Sequence, residues 1–91
     1  MPLRDTSGIG ERVPRELIEA DFSIAGSFVD MAEEESLRGN GQVAAHLLQK
    51  AEEILGHVRE RMLRMLPAQQ EVLEPRCQAL AESIRRGRDG N

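Results

Sequence analysis

Residues 42–66 carry apolar side chains at every third or fourth position for six turns, and this pattern constrains the fold more than any other feature. The positions are Ala44, Leu47, Leu48, Ala51, Ile54, Leu55, Val58, Met62 and Met65. At 100° per residue they fall within about 120° of one another, as in a helix that buries one face. A half-buried strand would alternate with a period of two. The pattern predicts a helix at about Gln42–Leu66 that forms the floor of the core.

A second helical pattern precedes it, at about residues 14–38. Its apolar positions are Leu17, Phe22, Ala25, Phe28, Val29 and Ala32, with Ile18 and Ile24 beside them. Pro14 suits a first helical turn because its missing N–H has no partner there. Gly26 lowers helix propensity by roughly 1 kcal/mol relative to alanine, which favours a close helix contact at that position. The turn residues 38–41 then predict an antiparallel hairpin between the two helices.

A third helix is predicted at about residues 68–86, after the interruption at Pro67. Its apolar side consists of Val72, Leu73, Cys77, Leu80, Ala81 and Ile84. Pro75 leaves two alternatives, a kinked helix or a regular helix that begins near Glu74. The expected fold class is therefore all-α, a three-helix bundle over residues 14–86. Residues 1–13 are expected to form a flexible arm and residues 87–91 a flexible tail.

Charge and cysteine content narrow the classes of function. Between Glu16 and Leu37 there are seven acids and no lysine or arginine, whereas from Arg59 onward there are seven arginines against five acids. This distribution lacks the basic stripe of a nucleic-acid-binding protein. No apolar run approaches the ~20 residues of a membrane span. The single cysteine, Cys77, and the polar start of the chain predict a cytoplasmic protein without a disulfide.

The first two helices resemble a tetratricopeptide-type hairpin. The resemblance lies in Phe28, Met31, Ala32, Gly39, Ala44, Leu48 and Ala51. It departs from that pattern at Glu35, where an aromatic residue is usual, and at Gly41, where a bulky one is usual. One hairpin followed by a third helix looks more like the MIT domain (microtubule-interacting and trafficking). That resemblance implies binding of a protein segment between helix 1 and helix 3, or between helix 2 and helix 3.

His46, Glu53 and His57 are predicted to share the solvent side of helix 2. The two histidines are three turns apart, about 16 Å, which is too far for one metal ion. Glu53 and His57 could form half a metal site, but a solvated face with a contact between neighbouring turns is the favoured interpretation. No metal site and no cofactor are predicted.

His46 also carries the alternative functional hypothesis, because its surroundings resemble the histidine-phosphotransfer (HPt) signature. Leu48 and Gly56 stand at the family's positions. Gln49 replaces its lysine, and Lys50 replaces the glycine that gives the phosphoryl donor room. The resemblance implies that His46 would be the phosphoacceptor, in a domain that normally has four helices.

The favoured prediction is a small helical protein–protein interaction module without catalytic activity. Its partner would be a protein or peptide segment, or a second copy docked through helix 3, and neither nucleic acid nor membrane. The residues predicted to form the binding surface are Met62, Met65, Leu73, Leu80 and Ile84. The methionines qualify because flexible thioether side chains adapt to different partners, although filling the core is their more usual role.

Overall fold

The structure, a computed structural model, describes residues 15–89 and contains three helices over that range. They are α1 (Arg15–Leu37), α2 (Gly41–Met62) and α3 (Pro67–Asp89). α1 and α2 pack along their length as an antiparallel hairpin, and α3 lies against both. The predicted all-α three-helix bundle is confirmed. The predicted arm at residues 1–13, the role of Pro14 and the last two residues of the predicted tail lie outside the described residues.

The turn between α1 and α2 is held by one side chain, Glu35. Its carboxylate accepts hydrogen bonds from Arg38 (3.0 Å) and from the side-chain amide of Asn40 (2.7 Å). The backbone N–H of Asn40 also donates to the Glu35 carbonyl oxygen at 2.8 Å. Gly39 adopts a φ of 86°, a left-handed conformation that glycine reaches without steric cost. The hydrogen bonds of Glu35 and the left-handed Gly39 therefore stabilise the hairpin turn predicted from residues 38–41.

The boundaries around the second turn differ from the prediction. α2 ends at Met62 rather than at Leu66, because residues 63–66 form the link between α2 and α3. In that link, Met65 donates its backbone N–H to the Met62 carbonyl in a tightened final turn (3.0 Å). Met65 nevertheless stays buried, so its place in the apolar pattern was correct.

α3 begins within one residue of its predicted start but extends beyond its predicted end. It begins at Pro67 and runs through Pro75 without a break, so a start near Glu74 is wrong. It also continues to Asp89, so Gly87 belongs to the helix rather than to the predicted tail.

The core is made mostly of aliphatic and small side chains. The buried residues are Ile18, Ala25, Ala32, Ala44, Leu48, Ala51, Leu55, Val58, Met62, Met65, Leu73, Cys77 and Ile84. Every apolar position predicted for α2 is buried or packs against this cluster. On α1, Ala25 and Ala32 are buried as predicted, but at the start of the helix Ile18 is buried and Leu17 is half exposed. Val72, which was predicted to face the core, is exposed on α3.

The close helix contact expected at Gly26 is not there, because a Cβ added at Gly26 would meet no atom within 4 Å. It occurs instead at Gly87, where an added Cβ would lie 2.9 Å from the Leu48 Cδ2 atom. Leu48 is 1% exposed. The small residue at position 87 therefore lets α3 reach the buried face of α2.

Two glycine substitutions test this contact as a matched pair. Gly56→Ala, in open space on α2, should stabilise the fold by roughly 0.5–1 kcal/mol through helix propensity. Gly87→Ala should give less stabilisation or a net loss, because the new methyl group must displace Leu48. Urea denaturation of both variants measures the difference, and equal stabilisation would contradict the contact.

Candidate functional site: a groove between α1 and α3

A groove of about 480 Å³ separates the C-terminal half of α1 from the C-terminal end of α3. Leu48 of α2 forms its floor. Val29 and Leu37 contribute apolar surface from the α1 side, and Ser83 and Gly87 form much of the α3 wall. Because the α3 wall is built from small residues, side chains do not fill the space between the helices.

The groove exists because α3 is attached to its neighbours elsewhere. At the far end, the Arg76 guanidinium binds the Glu19 carboxylate through two hydrogen bonds, of 2.6 and 2.9 Å, and lies 4.3 Å from the Phe22 ring centroid. At the near end, Arg88 binds Glu52 of α2 at 2.7 Å. α3 is therefore held to α1 at one end and to α2 at the other, and the C-terminal halves of α1 and α3 are left apart.

The walls of the groove carry opposite charges. Asp30 and Glu33 line it from α1, and Arg86 lines it from α3. Arg86 is partly engaged on its own helix, since it lies 3.7 Å from a Glu82 carboxylate oxygen. The two α1 carboxylates belong to the acidic run of that helix. The groove thus offers apolar surface at its floor and a carboxylate-rich edge on one side.

A smaller concavity of about 130 Å³ lies at the opposite end of α1 and α3, beside the Arg76–Glu19 pair. Ile18 and Leu73 line it, together with Gln69. The hydrogen bonds from Arg76 lower the pKa of the Glu19 carboxyl below its ordinary value. An ion pair between α1 and α3 borders this smaller concavity.

The residues predicted to form the binding surface lie elsewhere. Met62, Met65, Leu73 and Ile84 are buried in the core, and Leu80 is partly buried against it. Leu73 lines the smaller concavity, and the other three buried residues line neither concavity. None of the five lines the groove.

Sequence spacing does not predict the groove, because it places Val29 in the core, gives Asp30 and Glu33 only as members of the acidic run of α1, and puts Gly87 in the tail. The one usable signal in the sequence was Leu37, a large apolar residue at the end of an acidic helix, which is 83% exposed in the structure.

The other chemically interesting side chains do not come together. His46 and His57 are exposed on α2, as predicted. Within residues 15–89, no three histidine, cysteine, aspartate or glutamate side chains are placed to hold a metal ion. Cys77 is buried, its Sγ lies 3.4 Å from the Met62 sulfur, and burial raises the pKa of its thiol. A buried neutral thiol is a poor nucleophile, which agrees with the interpretation of Cys77 as a core residue.

Comparisons of the chain with protein families, with curated proteins and with solved structures return no match. The resemblance to tetratricopeptide and MIT hairpins therefore stays a prediction. Among the helices of the described part of the chain, none has the length and apolar character needed to cross a membrane.

The Glu19–Arg76 pair makes the stability of the fold depend on pH in a defined direction. Because the folded state lowers the pKa of Glu19, the pair stabilises the fold above the unfolded-state pKa of that carboxyl. This contribution is lost as the pH falls through the folded-state pKa. Glu19→Gln should therefore be less stable than the wild type at pH 7, and this difference should shrink as the pH is lowered toward 3.

Urea midpoints at the two pH values measure the effect. Glu82→Gln, which removes an acid paired only within α3, is the control and should show a smaller pH-dependent difference. A Glu19→Gln deficit that persists unchanged at pH 3 would contradict the assignment.

Proposed function

We propose that this protein is a helical interaction module that binds a protein segment in the groove between α1 and α3. The observation that carries the proposal is the groove itself, in which an apolar floor lies beside a carboxylate-rich edge. Peptide-binding helical domains commonly use such grooves, with apolar anchors for affinity and charges at the rim for orientation. The groove is the first of the two locations implied by the resemblance to MIT domains.

The chemistry of the groove indicates the kind of segment. A leucine-sized side chain would fit against Val29 and Leu37, above the floor at Leu48, where it would be removed from water. A lysine or arginine one turn away would approach Asp30 and Glu33. Burial of one such aliphatic side chain contributes about 1.5–3 kcal/mol, which supports weak, reversible binding rather than a permanent complex.

The phosphotransfer alternative receives no specific support. His46 is exposed, as a phosphoacceptor must be, but exposure is common to many surface histidines. Residues 15–89 form three helices, whereas the resemblance implies four. Lys50 stands where the family has the glycine that admits the phosphoryl donor. Phosphotransfer at His46 therefore stays a prediction without a supporting observation.

The proposal can be tested with a library of random 12-residue peptides displayed on phage and selected on the purified domain. Enriched peptides should combine an aliphatic residue with a nearby lysine or arginine. In NMR titrations they should shift the signals of Val29, Leu37 and Leu48. Glu33→Lys should weaken binding roughly two- to tenfold, because it replaces an attraction at the rim by a repulsion.

The matched control is Glu53→Lys, which makes the same charge change on the exposed side of α2, away from the groove, and should leave the affinity unchanged. Selection without enrichment would contradict the proposal. So would bound peptides that shift signals outside the groove and are indifferent to Glu33→Lys.

A further inference from the structure

A second apolar surface lies on the α1–α2 hairpin, on the side away from α3. We call it the hairpin face and define it by Leu17, Ile24, Phe28 and Met31 of α1 and Leu47 and Ile54 of α2. Leu17, Ile24 and Met31 recur every seven residues and are 51%, 48% and 42% exposed. Val43, also about half exposed, extends the face toward the turn.

The position of this face follows from the ion pairs on either side of α1. Asp21 binds Arg61 of α2 at 2.6 Å, so this side of α1 faces α2. Phe22 contacts Arg76 and faces α3. At 100° per residue, Ile24 lies about 60° from Asp21 around the helix, on the side away from Phe22, and about 160° from Phe22 itself. The hairpin face is therefore separate from the α1–α3 groove.

α2 completes the face in the same way. Leu47 and Ile54 lie seven residues apart and in line with Arg61, on the side of α2 that adjoins α1. Glu52, which binds Arg88 of α3, lies on the other side. α1 thus carries one apolar line for the core and another at heptad spacing, the spacing that coiled-coil packing uses. Leu47 and Ile54, the partly buried edge of the single α2 stripe, continue this second line across the hairpin.

We infer that the hairpin face binds a second copy of this chain, so that two hairpins form a four-helix interface with an α3 on each outer side. Two antiparallel hairpins can stack with α1 on the second copy's α1, or with α1 on the second copy's α2. Charge decides between these arrangements. Beside the hairpin face, α1 carries the acids Asp21 and Glu35, whereas α2 carries the basic residues Lys50 and Arg61.

Stacking α1 on a second α1 would bring the carboxylates of Asp21 and Glu35 toward those of the second copy, and like charges in contact oppose association. Stacking α1 on the second copy's α2 avoids this repulsion. It also makes every neighbouring helix pair antiparallel. Because Asp21 and Arg61 lie at the same height in one chain, the twofold axis parallel to the helices brings Asp21 to the height of the second copy's Arg61. The face is therefore complementary to itself in this arrangement.

The size of the face is sufficient for a specific dimer. A 22-residue helix such as α2 is about 33 Å long, and a face two helices wide spans roughly 20 Å. The interface would therefore bury about 600 Å² per copy. The total of about 1,200 Å² lies at the lower limit for stable protein–protein interfaces.

The exposed apolar residues of α3 do not offer an equivalent surface. In the described part of α3, Val72 is the large hydrophobic residue that is clearly exposed, and its exposed apolar neighbours at helical spacing, Ala68, Pro75 and Ala79, are small. The observations thus favour the hairpin face over helix 3, which the sequence had suggested for self-association.

Sedimentation equilibrium from micromolar to near-millimolar concentration tests the inference on the full chain. The wild type should show a monomer–dimer equilibrium. Ile24→Glu places a charge twice in the symmetric interface and should weaken dimerisation more than about tenfold, with the helical circular dichroism unchanged. Val72→Glu, an equally drastic change on exposed α3 surface, should dimerise like the wild type. If Ile24→Glu does not fold, Met31→Glu makes the same test.

A wild type that is monomeric throughout would overturn the inference, as would a dimer that persists in both Ile24→Glu and Met31→Glu. The arrangement is tested by disulfide formation in a Cys77→Ala background. A mixture of Met31→Cys chains and Lys50→Cys chains should cross-link, since these positions lie at similar heights on α1 and α2. Met31→Cys alone should not. A dimer in which the mixture fails to cross-link would exclude the α1-on-α2 arrangement.

Discussion

The fold depends on how closely α1 and α2 can approach each other, and alanine residues set that distance. Ala25, Ala32, Ala44 and Ala51 are at most 2% exposed. The Asp21–Arg61 pair fixes the register of the antiparallel hairpin, which places Ala32 within one residue of the height of Ala51. Small side chains at facing positions let two helices pack at short interaxial distance. The larger residues that flank them, such as Leu48 and Val58, then fill the space beside the contact.

The two surfaces with functional interest follow from this tight hairpin. Because α1 and α2 already bury their alanine sides against each other, α3 packs over one side of the pair only. The ion pairs of Arg76 with α1 and of Arg88 with α2 hold α3 in place. Between these two pairs, the small residues Ser83 and Gly87 leave the groove open. The other side of the hairpin has no helix over it in the described part of the chain. One arrangement therefore yields both a groove for a protein segment and an apolar face for a second copy.

The sequence predicted the helices well but the surfaces poorly, and the difference has physical causes. α2 has one apolar stripe, so its helix, its phase and its burial could all be derived from spacing. α1 has two, and spacing alone could not decide whether Leu17 or Ile18 faces the core. The groove depends on where ion pairs attach α3 to its neighbours. Glu19 and Arg76, which form one of these pairs, are 57 residues apart in the sequence. Sequence spacing places Gly87 in the tail, because its contact with Leu48 forms only when α3 packs against α2.

The claim that alanines set the hairpin distance is tested most directly by enlarging one of them. Ala51→Leu adds three carbon atoms at a fully buried position, whereas Ala45→Leu makes the same change on the exposed side of α2. Alanine and leucine have similar helix propensities, so the pair isolates the packing effect. If the account is right, urea denaturation will show Ala51→Leu destabilised by roughly 1–3 kcal/mol and Ala45→Leu within about 0.5 kcal/mol of the wild type. An Ala51→Leu variant as stable as the wild type would contradict it, because the helices would then have room that this packing does not allow.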